Sequence, residues 1–316
     1  MKDRSILWVF LAFVLGFSLP VCSCVSTCFL SAATLSVMVN TGAPLDTSDA
    51  VGLIHLDGVI TSDTPSGVYG SGITPTLVDN LLAQATADPS IKAVVVRVNS
   101  PGGSVVGSDQ IYHMVKDFDL PVVFWMDETA ASGGYYIACG GDYIIAHPDS
   151  LVGSIGVISQ FINAEDLLNE IGVDVVVITS GPRKDTGSLF RDMTEEEQEY
   201  WQALIDEVYD GFVGIVADGR DLPEGTVREL ADGRVYTGRQ ALELGLVDET
   251  GLPADAIAKA AELGGIVGDP RIVELQAVPS FLDALYAFQS QSASPTFEEI
   301  VDWAAVPSLE FRFAGP

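Results

Sequence analysis

One serine stands where a strand-like run meets an apolar helix. Ser132 lies between two alanines and the pair Gly133-Gly134, after the apolar run 121–126 and before the apolar turn 135–139. The first N–H groups of a helix have no partner within the helix, so they can face an oxyanion, and glycine allows another backbone to approach closely. Ser132 is therefore a candidate nucleophile. The same pattern is also an ordinary way to pack a tight helix entry.

A lysine in a turn-rich loop is the candidate base. Lys184 lies in the run 180–188, after the strand-like run 173–178, and it is one of only five lysines among 316 residues. An ordinary lysine has a pKa of about 10.4, so keeping it neutral at pH 7 costs about 4.6 kcal/mol. Burial in an apolar groove can supply that energy, and the same groove would select apolar substrates. The alternative is a solvated loop lysine paired with Asp185.

Five short motifs, in a fixed order, resemble the signal peptide peptidase A (SppA) family in its short, single-domain form. They are Asn-Ser-Pro-Gly-Gly at 99–103, Ala-Ser-Gly-Gly-Tyr-Tyr at 131–136, Gly-Ser-Ile-Gly-Val at 153–157, Lys-Asp-Thr-Gly-Ser at 184–188, and the run 233–241. The resemblance covers about residues 51–263. It implies an α/β fold of the ClpP/crotonase type with a mostly parallel sheet, and a protease with a Ser/Lys dyad.

The resemblance also implies a role for each site residue. Ser132 is the nucleophile, Lys184, 52 positions later, is the general base, and Ser154 orients the base. The implied oxyanion-hole glycines are Gly102, Gly103 and Gly133. Chemistry of this kind needs neither a cofactor nor a metal.

Other nucleophiles and ligand sets fit the chain poorly. His147 follows Ser132 by 15 residues, closer than in the Ser/His/Asp triad of ClpP, and Cys139 is better explained as a buried packing residue. No histidine, cysteine or carboxylate cluster has the spacing of a metal site, and no phosphate-binding Gly-x-x-x-x-Gly-Lys loop is present. We therefore expect no metal and no cofactor.

Composition limits the partners. The formal net charge of −29 disfavours binding to nucleic acid or to an anionic membrane surface, since both are polyanionic. With 48% hydrophobic residues the chain can bury a substantial core. A salt-adapted protein and an acidic extracytoplasmic protein both explain the acidity.

The N-terminus predicts a membrane anchor. Residues 5–45 carry no charge, Lys2 and Arg4 precede them, and Asp46 and Asp49 follow. This run exceeds the ~20 residues that a spanning helix needs, and the flanking charges place the N-terminus inside and the domain outside the cell membrane. Two alternatives are a signal peptide cleaved after Ala33 and a degenerate lipobox around Cys22 and Cys24. If the segment is an uncleaved anchor, which is the prediction, the N-terminal cysteines lie in or near the membrane and form no disulfide framework.

The rest of the chain alternates strand-like and helix-like runs, as an α/β domain does. We expect strands at 52–60 and 91–98, helices at 74–87 and 105–116, and a long helix at 193–216 with a capping box between Thr194 and Glu197. The alternating run 308–313 is typical of an edge strand. The domains are predicted as an anchor and linker at 1–45, a peptidase domain at 46–278 and a C-terminal segment at 279–316.

The leading hypothesis is a single-pass membrane serine endopeptidase that degrades released signal peptides and other apolar, membrane-derived peptides. The resemblance implies a homo-oligomeric ring. The alternatives are a crotonase-like acyl-CoA enzyme and a non-catalytic SppA-like membrane scaffold. An anchor and a Ser/Lys pair are not expected of the former, and the presence of both candidate residues disfavours the latter.

Overall fold

The computed structural model describes residues 48–62, 72–276 and 310–313. The strands are β1 (Ala50–Asp57), β2 (Ile91–Ser100), β3 (Gly102–Ser104), β4 (Val122–Ala131), β5 (Tyr143–Ala146), β6 (Leu151–Gly153), β7 (Val235–Thr237), β8 (Glu249–Thr250), β9 (Arg271–Glu274) and β10 (Glu310–Arg312). The helices are α1 (Pro75–Ala87), α2 (Val105–Lys116), α3 (Gly133–Ala138), α4 (Glu165–Glu170), α5 (Glu195–Arg220), α6 (Glu224–Leu230), α7 (Gly238–Glu243) and α8 (Pro253–Leu263).

A mostly parallel sheet forms the centre of the fold, in the order β7-β6-β4-β2-β1-β9. Strand β4 pairs with β2 along one edge, and along its other edge it pairs first with β5 and then with β6. Only β7 runs antiparallel to its neighbour within this sheet. The predicted α/β fold with a mostly parallel sheet is confirmed.

Helices cover both faces of the sheet, which explains why the central strands read as continuous apolar runs. Alternate residues of β2 point to opposite faces: Val94 and Val96 join a large core with α1, α2, α3 and α5, whereas Ala93 and Val95 join a smaller one with α8. With both faces of the sheet covered, the free positions for polar chemistry are the loops at the strand ends.

Local signals set the helix boundaries. The Thr74 side chain accepts a hydrogen bond from Leu77 N and caps α1, and the predicted capping box between Thr194 and Glu197 opens α5. The predicted helices at 74–87 and 105–116 are confirmed within one residue. Across the parts of the chain described above, no helix combines the length and apolar character that crossing a bilayer requires. The predicted anchor at 1–45 lies outside the described residues.

The predicted strand at 173–178 is wrong. These residues form no strand, and their side chains are exposed, with Val176 at 85% and Ile178 at 92%. A valine-rich run favours a strand only when a neighbouring strand accepts its backbone hydrogen bonds. Within the single chain this run finds no such neighbour among the described residues.

Candidate active site

Ser132 occupies a strained junction between β4 and α3. Its φ is 54° and its ψ is −117°, a conformation that an L-residue adopts only when its surroundings impose it. Its N–H donates to the Gly153 carbonyl oxygen at 2.6 Å, and its carbonyl oxygen accepts from Tyr135 N and Tyr136 N. The side chain is 1% exposed, and its Oγ has no hydrogen-bond partner among the described residues. A serine with only a packing role would normally make a hydrogen bond at such a buried position.

Ser154 lies beside Ser132 because β6 pairs with the end of β4. Ala131 is opposite Gly153 in that pairing, so the serines that follow each strand sit at the same edge of the sheet. Ser154 is buried and also has a positive φ of 49°, and its N–H donates to the Arg234 carbonyl oxygen at 2.9 Å. The structure thus brings two of the three predicted serine and lysine residues together.

The Gly102-Gly103 turn packs directly against the start of α3. Ser100 pairs with Ala130 of β4, which places the turn beside the serine. A β-carbon added to Gly102 would lie 2.6 Å from Gly133 N, and one added to Gly133 would lie 3.2 Å from Gly103 N. Gly102 N donates to Ser100 Oγ at 3.1 Å, so that N–H is engaged. The three predicted oxyanion-hole glycines lie together, close to the first N–H groups of α3.

Ser108 is a residue of this site that the sequence did not single out. It is fully buried in α2, and its Oγ lies 2.5 Å from the position of a β-carbon added to Gly133. This Oγ has no hydrogen-bond partner among the residues described. A serine within the apolar stripe formed by Ile111, Tyr112 and Val115 was the available signal, because such a position normally carries an apolar side chain.

Strand β10 closes one side of the glycine turn. It pairs antiparallel with β3, and Phe311 is opposite Gly103. The Phe311 ring is buried, stacks on Tyr136 with 5.0 Å between ring centroids, and packs at a tilt against Phe212 with 4.6 Å between centroids. Part of the predicted C-terminal segment therefore contributes to the hydrophobic core of the domain.

Lys184 lies on a different loop, with an exposed side chain. It makes no hydrogen bond to Ser132 Oγ, which has no such partner in the described part of the chain. The predicted burial of Lys184 in an apolar groove is not present within the single chain. The structure therefore brings together Ser132, Ser154 and the three glycines, but not Lys184.

The loop that carries Lys184 is nevertheless tightly held. The Arg191 guanidinium bonds the carboxylates of both Asp185 and Glu197. These hydrogen bonds from Arg191, and one from Thr194 N, hold the pKa of Glu197 far below its usual range, and the pKa of Arg191 is raised in turn. On the other side of the loop, Gly187 packs against the Phe161 ring.

Neither of the alternative catalytic groups engages Ser132. His147 Nδ1 accepts a hydrogen bond from the N–H of Asp149, two residues later in the chain, at 3.2 Å. Cys139 is buried at the end of α3, and burial raises the pKa of its thiol to about 12, so it is poorly suited to act as a nucleophile. The residues that the structure describes hold no cluster of histidine, cysteine and carboxylate groups suited to a metal ion.

Two family profiles match the chain. The profile of peptidase family S49 matches residues 115–266, a range that includes Ser132, Ser154 and Lys184. The profile of the Clp protease family matches residues 67–152. Both matches agree with a ClpP-like fold built around the edge of the sheet at Ser132.

Individual relatives are similar over most of the described domain. A candidate protease of Synechocystis sp. is 44% identical over 215 residues, which are 67% of this chain and 76% of that protein. A candidate signal peptide peptidase SppA of Enterococcus faecium is 42% identical over 179 residues, 56% of this chain and 52% of the relative. The chloroplastic serine protease SPPA of Arabidopsis thaliana is 31% identical over 222 residues, 69% of this chain and 33% of the relative. The matched segment thus spans about half or less of the latter two.

Proposed function

The chain belongs to peptidase family S49, the SppA family of serine peptidases, and on this premise we propose that it cleaves peptides with Ser132 as nucleophile and Lys184 as general base. The observation that carries the proposal is the state of Ser132. Its hydroxyl is buried, has no hydrogen-bond partner in the described structure, and stands at a strained strand-to-helix junction beside a glycine turn. A strained strand-to-helix turn also carries the nucleophilic serine of α/β-hydrolases.

The chemistry divides among the residues of this site. Lys184 would take the proton from Ser132 Oγ as the oxygen attacks the peptide carbonyl, and would return it to the leaving amine. Water, deprotonated by the same lysine, would then attack the ester formed on Ser132, release the acyl product and restore the serine hydroxyl. The first N–H groups of α3, which have no partner within the helix, would stabilise the oxyanion, and the Gly102-Gly103 turn packed against them would help to hold them in place. Ser154, beside Ser132 at the sheet edge, would orient the base.

The exposure of Lys184 favours a homo-oligomer, which we include in the proposal. A lysine acts as a base only when it is neutral, and desolvation favours the neutral form. The neighbouring run 173–178 exposes Val176 and Ile178 almost fully, an arrangement typical of a surface that another protein covers. A second copy of the chain packed on this run would exclude water from the lysine loop.

The proposed substrates are apolar peptides, such as released signal peptides. A groove apolar enough to keep a lysine neutral would also receive small and apolar side chains. The proposed location is the cell membrane, with one spanning segment within residues 1–45 and the peptidase domain outside. The uncharged run 5–45, with basic residues before it and acidic residues after it, supports this topology.

Site-specific labelling tests the proposal. The full chain is treated with a fluorophosphonate, and mass spectrometry identifies the modified residue, which we expect to be Ser132. Ser132→Ala and Lys184→Ala should both abolish peptide hydrolysis while the fold is retained, because neither change opens a large cavity. Lys116→Ala, at an exposed lysine of α2, is the matched control and should keep wild-type activity. Substantial activity in folded Lys184→Ala would reject the Ser/Lys assignment.

The topology has its own test. Full-length protein should stay with the membrane fraction after carbonate washing, and external protease should reach its domain. A soluble chain that begins just after Ala33 would instead establish signal-peptide cleavage. Neither result depends on the identity of the catalytic base.

A further inference from the structure

We propose that Arg191 and Glu197 are positioning residues that hold the lysine loop, residues 184–188, on the N-terminus of α5. This inference rests on the proposed role of Lys184 as the base. Neither residue touches the reacting atoms. Their role would be to fix the backbone from which the lysine side chain extends.

Arg191 forms hydrogen bonds with the lysine loop and with α5 at the same time. Its Nε and Nη2 lie 2.8 and 3.0 Å from the two carboxylate oxygens of Asp185, the residue that directly follows Lys184. Its Nη1 and Nη2 lie 2.9 and 2.6 Å from the two carboxylate oxygens of Glu197. A planar guanidinium with two bidentate partners fixes orientation as well as distance. The residue next to the proposed base thus has a defined position relative to α5.

Glu197 connects this bonding to the start of a long helix. Its side chain is buried, accepts from Thr186 Oγ1 at 2.9 Å, and accepts from Thr194 N at 3.0 Å as the second half of the capping box. A buried carboxylate is tolerated only when its oxygens are paired, and here both are. The helix N-terminus further favours a negative charge at this position. Glu197 therefore fixes two successive loop residues, Asp185 through Arg191 and Thr186 directly.

An aromatic contact holds the opposite side of the loop. A β-carbon added to Gly187 would lie 2.7 Å from the Phe161 ring, and that ring packs edge-on against Trp201 of α5 with 5.0 Å between centroids. The ion pairs of Arg191 thus hold one side of the loop, and the packed rings of Phe161 and Trp201 hold the other. Lys184 itself has an exposed side chain and no ion-pair partner among the described residues. The backbone is fixed while the amine stays free to reach another group.

The combination of a fixed loop backbone and a free lysine amine has a kinetic consequence. A long lysine side chain samples many rotamers, and a fixed backbone limits the positions that the amine can reach. If the loop loosened, fewer complexes would hold the amine within reach of the serine hydroxyl. Displacement of a catalytic group by about 1 Å can lower the rate by roughly 10²-fold. The loss would fall on kcat, because substrate binding does not depend on the lysine amine.

The experiment uses two variants that break the same contacts with opposite changes in charge. In the full-length protein, Arg191→Gln removes a positive charge and Glu197→Gln removes a negative one. We expect kcat to fall by roughly ten- to a hundred-fold in both, with KM within about threefold of wild type. The fall in kcat should have the same direction in both variants although their changes in charge are opposite, because both loosen the same loop. Arg191→Lys keeps the charge and should recover part of kcat.

The control variant is Arg228→Gln, which breaks an exposed ion pair with Asp210 and should leave kcat unchanged. A purely electrostatic effect on the lysine would change kcat in opposite directions in the two glutamine variants and would overturn the inference. A wild-type kcat in the folded fraction of both glutamine variants would also overturn it, since it would mean that the cluster only stabilises the fold.

A milder variant covers the case in which either glutamine variant fails to fold. Thr186→Val removes one hydrogen bond to Glu197 and should lower kcat a few-fold, whereas an unchanged kcat would count against the positioning role. Lys184→Ala is measured in parallel. If it is active, the proposed function fails; if it is inactive while the cluster variants are fully active, only this inference fails.

Discussion

Gly102→Ala offers a sharp test of the glycine turn. Gly102 has a φ of 97°, and an added β-carbon would overlap the Phe311 carbonyl oxygen of β10 and lie 2.6 Å from Gly133 N. Both contacts are with backbone atoms, which cannot swing aside as the end of a side chain can. The turn, β10 and the start of α3 therefore have to separate.

The size of the effect follows from these distances. Real β-carbons essentially never approach other atoms closer than 3.0 Å, so Gly102 and Gly133 would have to move apart by at least about 0.4 Å, and the turn would have to move farther from β10. The left-handed backbone adds a strain of about 1–3 kcal/mol for an alanine. Loss of one well-placed oxyanion donor costs roughly 10²- to 10³-fold in kcat. We expect kcat/KM to fall by about 10²-fold or more, and the free energy of unfolding to fall by about 1–3 kcal/mol.

Hydrolysis of a fluorogenic apolar peptide measures kcat/KM, and urea denaturation measures stability on the same samples. Gly211→Ala is the matched control: this glycine lies in α5, a β-carbon there meets nothing within 4 Å, and alanine should stabilise the helix by about 0.5–1 kcal/mol. If folded Gly102→Ala hydrolysed the peptide within about threefold of the wild-type rate, the turn would have no part in oxyanion binding.

Three further outcomes are expected. Phe311→Ala should lower the free energy of unfolding by about 3–5 kcal/mol, because its buried ring leaves a cavity, while Val267→Ala at a 98% exposed position should change it little. Glu197→Gln should destabilise the protein at pH 7, because the hydrogen bonds from Arg191 lower the pKa of the folded-state Glu197 carboxyl. A carboxyl of this kind stabilises the fold above its unfolded pKa of about 4.3, and the stabilisation is lost as the pH falls toward the lower folded-state pKa. The difference in stability between variant and wild type should therefore shrink below about pH 4. Urea denaturation at several pH values checks both. The Cys139 thiol, whose pKa burial raises to about 12, should react with iodoacetamide at pH 8 only after unfolding, which mass spectrometry of the labelled peptide would show.

Local sequence signals were enough to predict the elements that carry the serine side of the site. Strand β2 could be predicted because both of its faces are buried, and the starts of α1 and α5 because threonine caps act within a few residues. The juxtaposition of Ser132 and Ser154 was not predictable from spacing. It depends on β6 pairing with the second half of β4, a contact set by the sheet as a whole.

Features that depend on contacts between residues distant in sequence could not be predicted. The run 173–178 has the composition of a strand, yet composition does not indicate whether a neighbouring strand is present. Arg191 stands six residues from both Asp185 and Glu197, a spacing that indicates no contact until the loop folds back on the helix. The alternating pattern at 308–313 predicted an edge strand, but not that it would pair with the glycine turn.

Gly187 of the lysine loop contacts Phe161, and Phe161 packs against Trp201. Trp201 is therefore an intrinsic fluorophore separated from the lysine loop by a single aromatic ring. Of the four tryptophans in the chain, Trp125 packs on the far side of the sheet with α8, and Trp8 and Trp303 lie outside the described residues. Emission from Trp201 depends on the polarity and the quenching groups around its indole. Replacement of the other three by phenylalanine would therefore yield a spectroscopic reporter of loop movement that needs no added dye and no turnover of substrate.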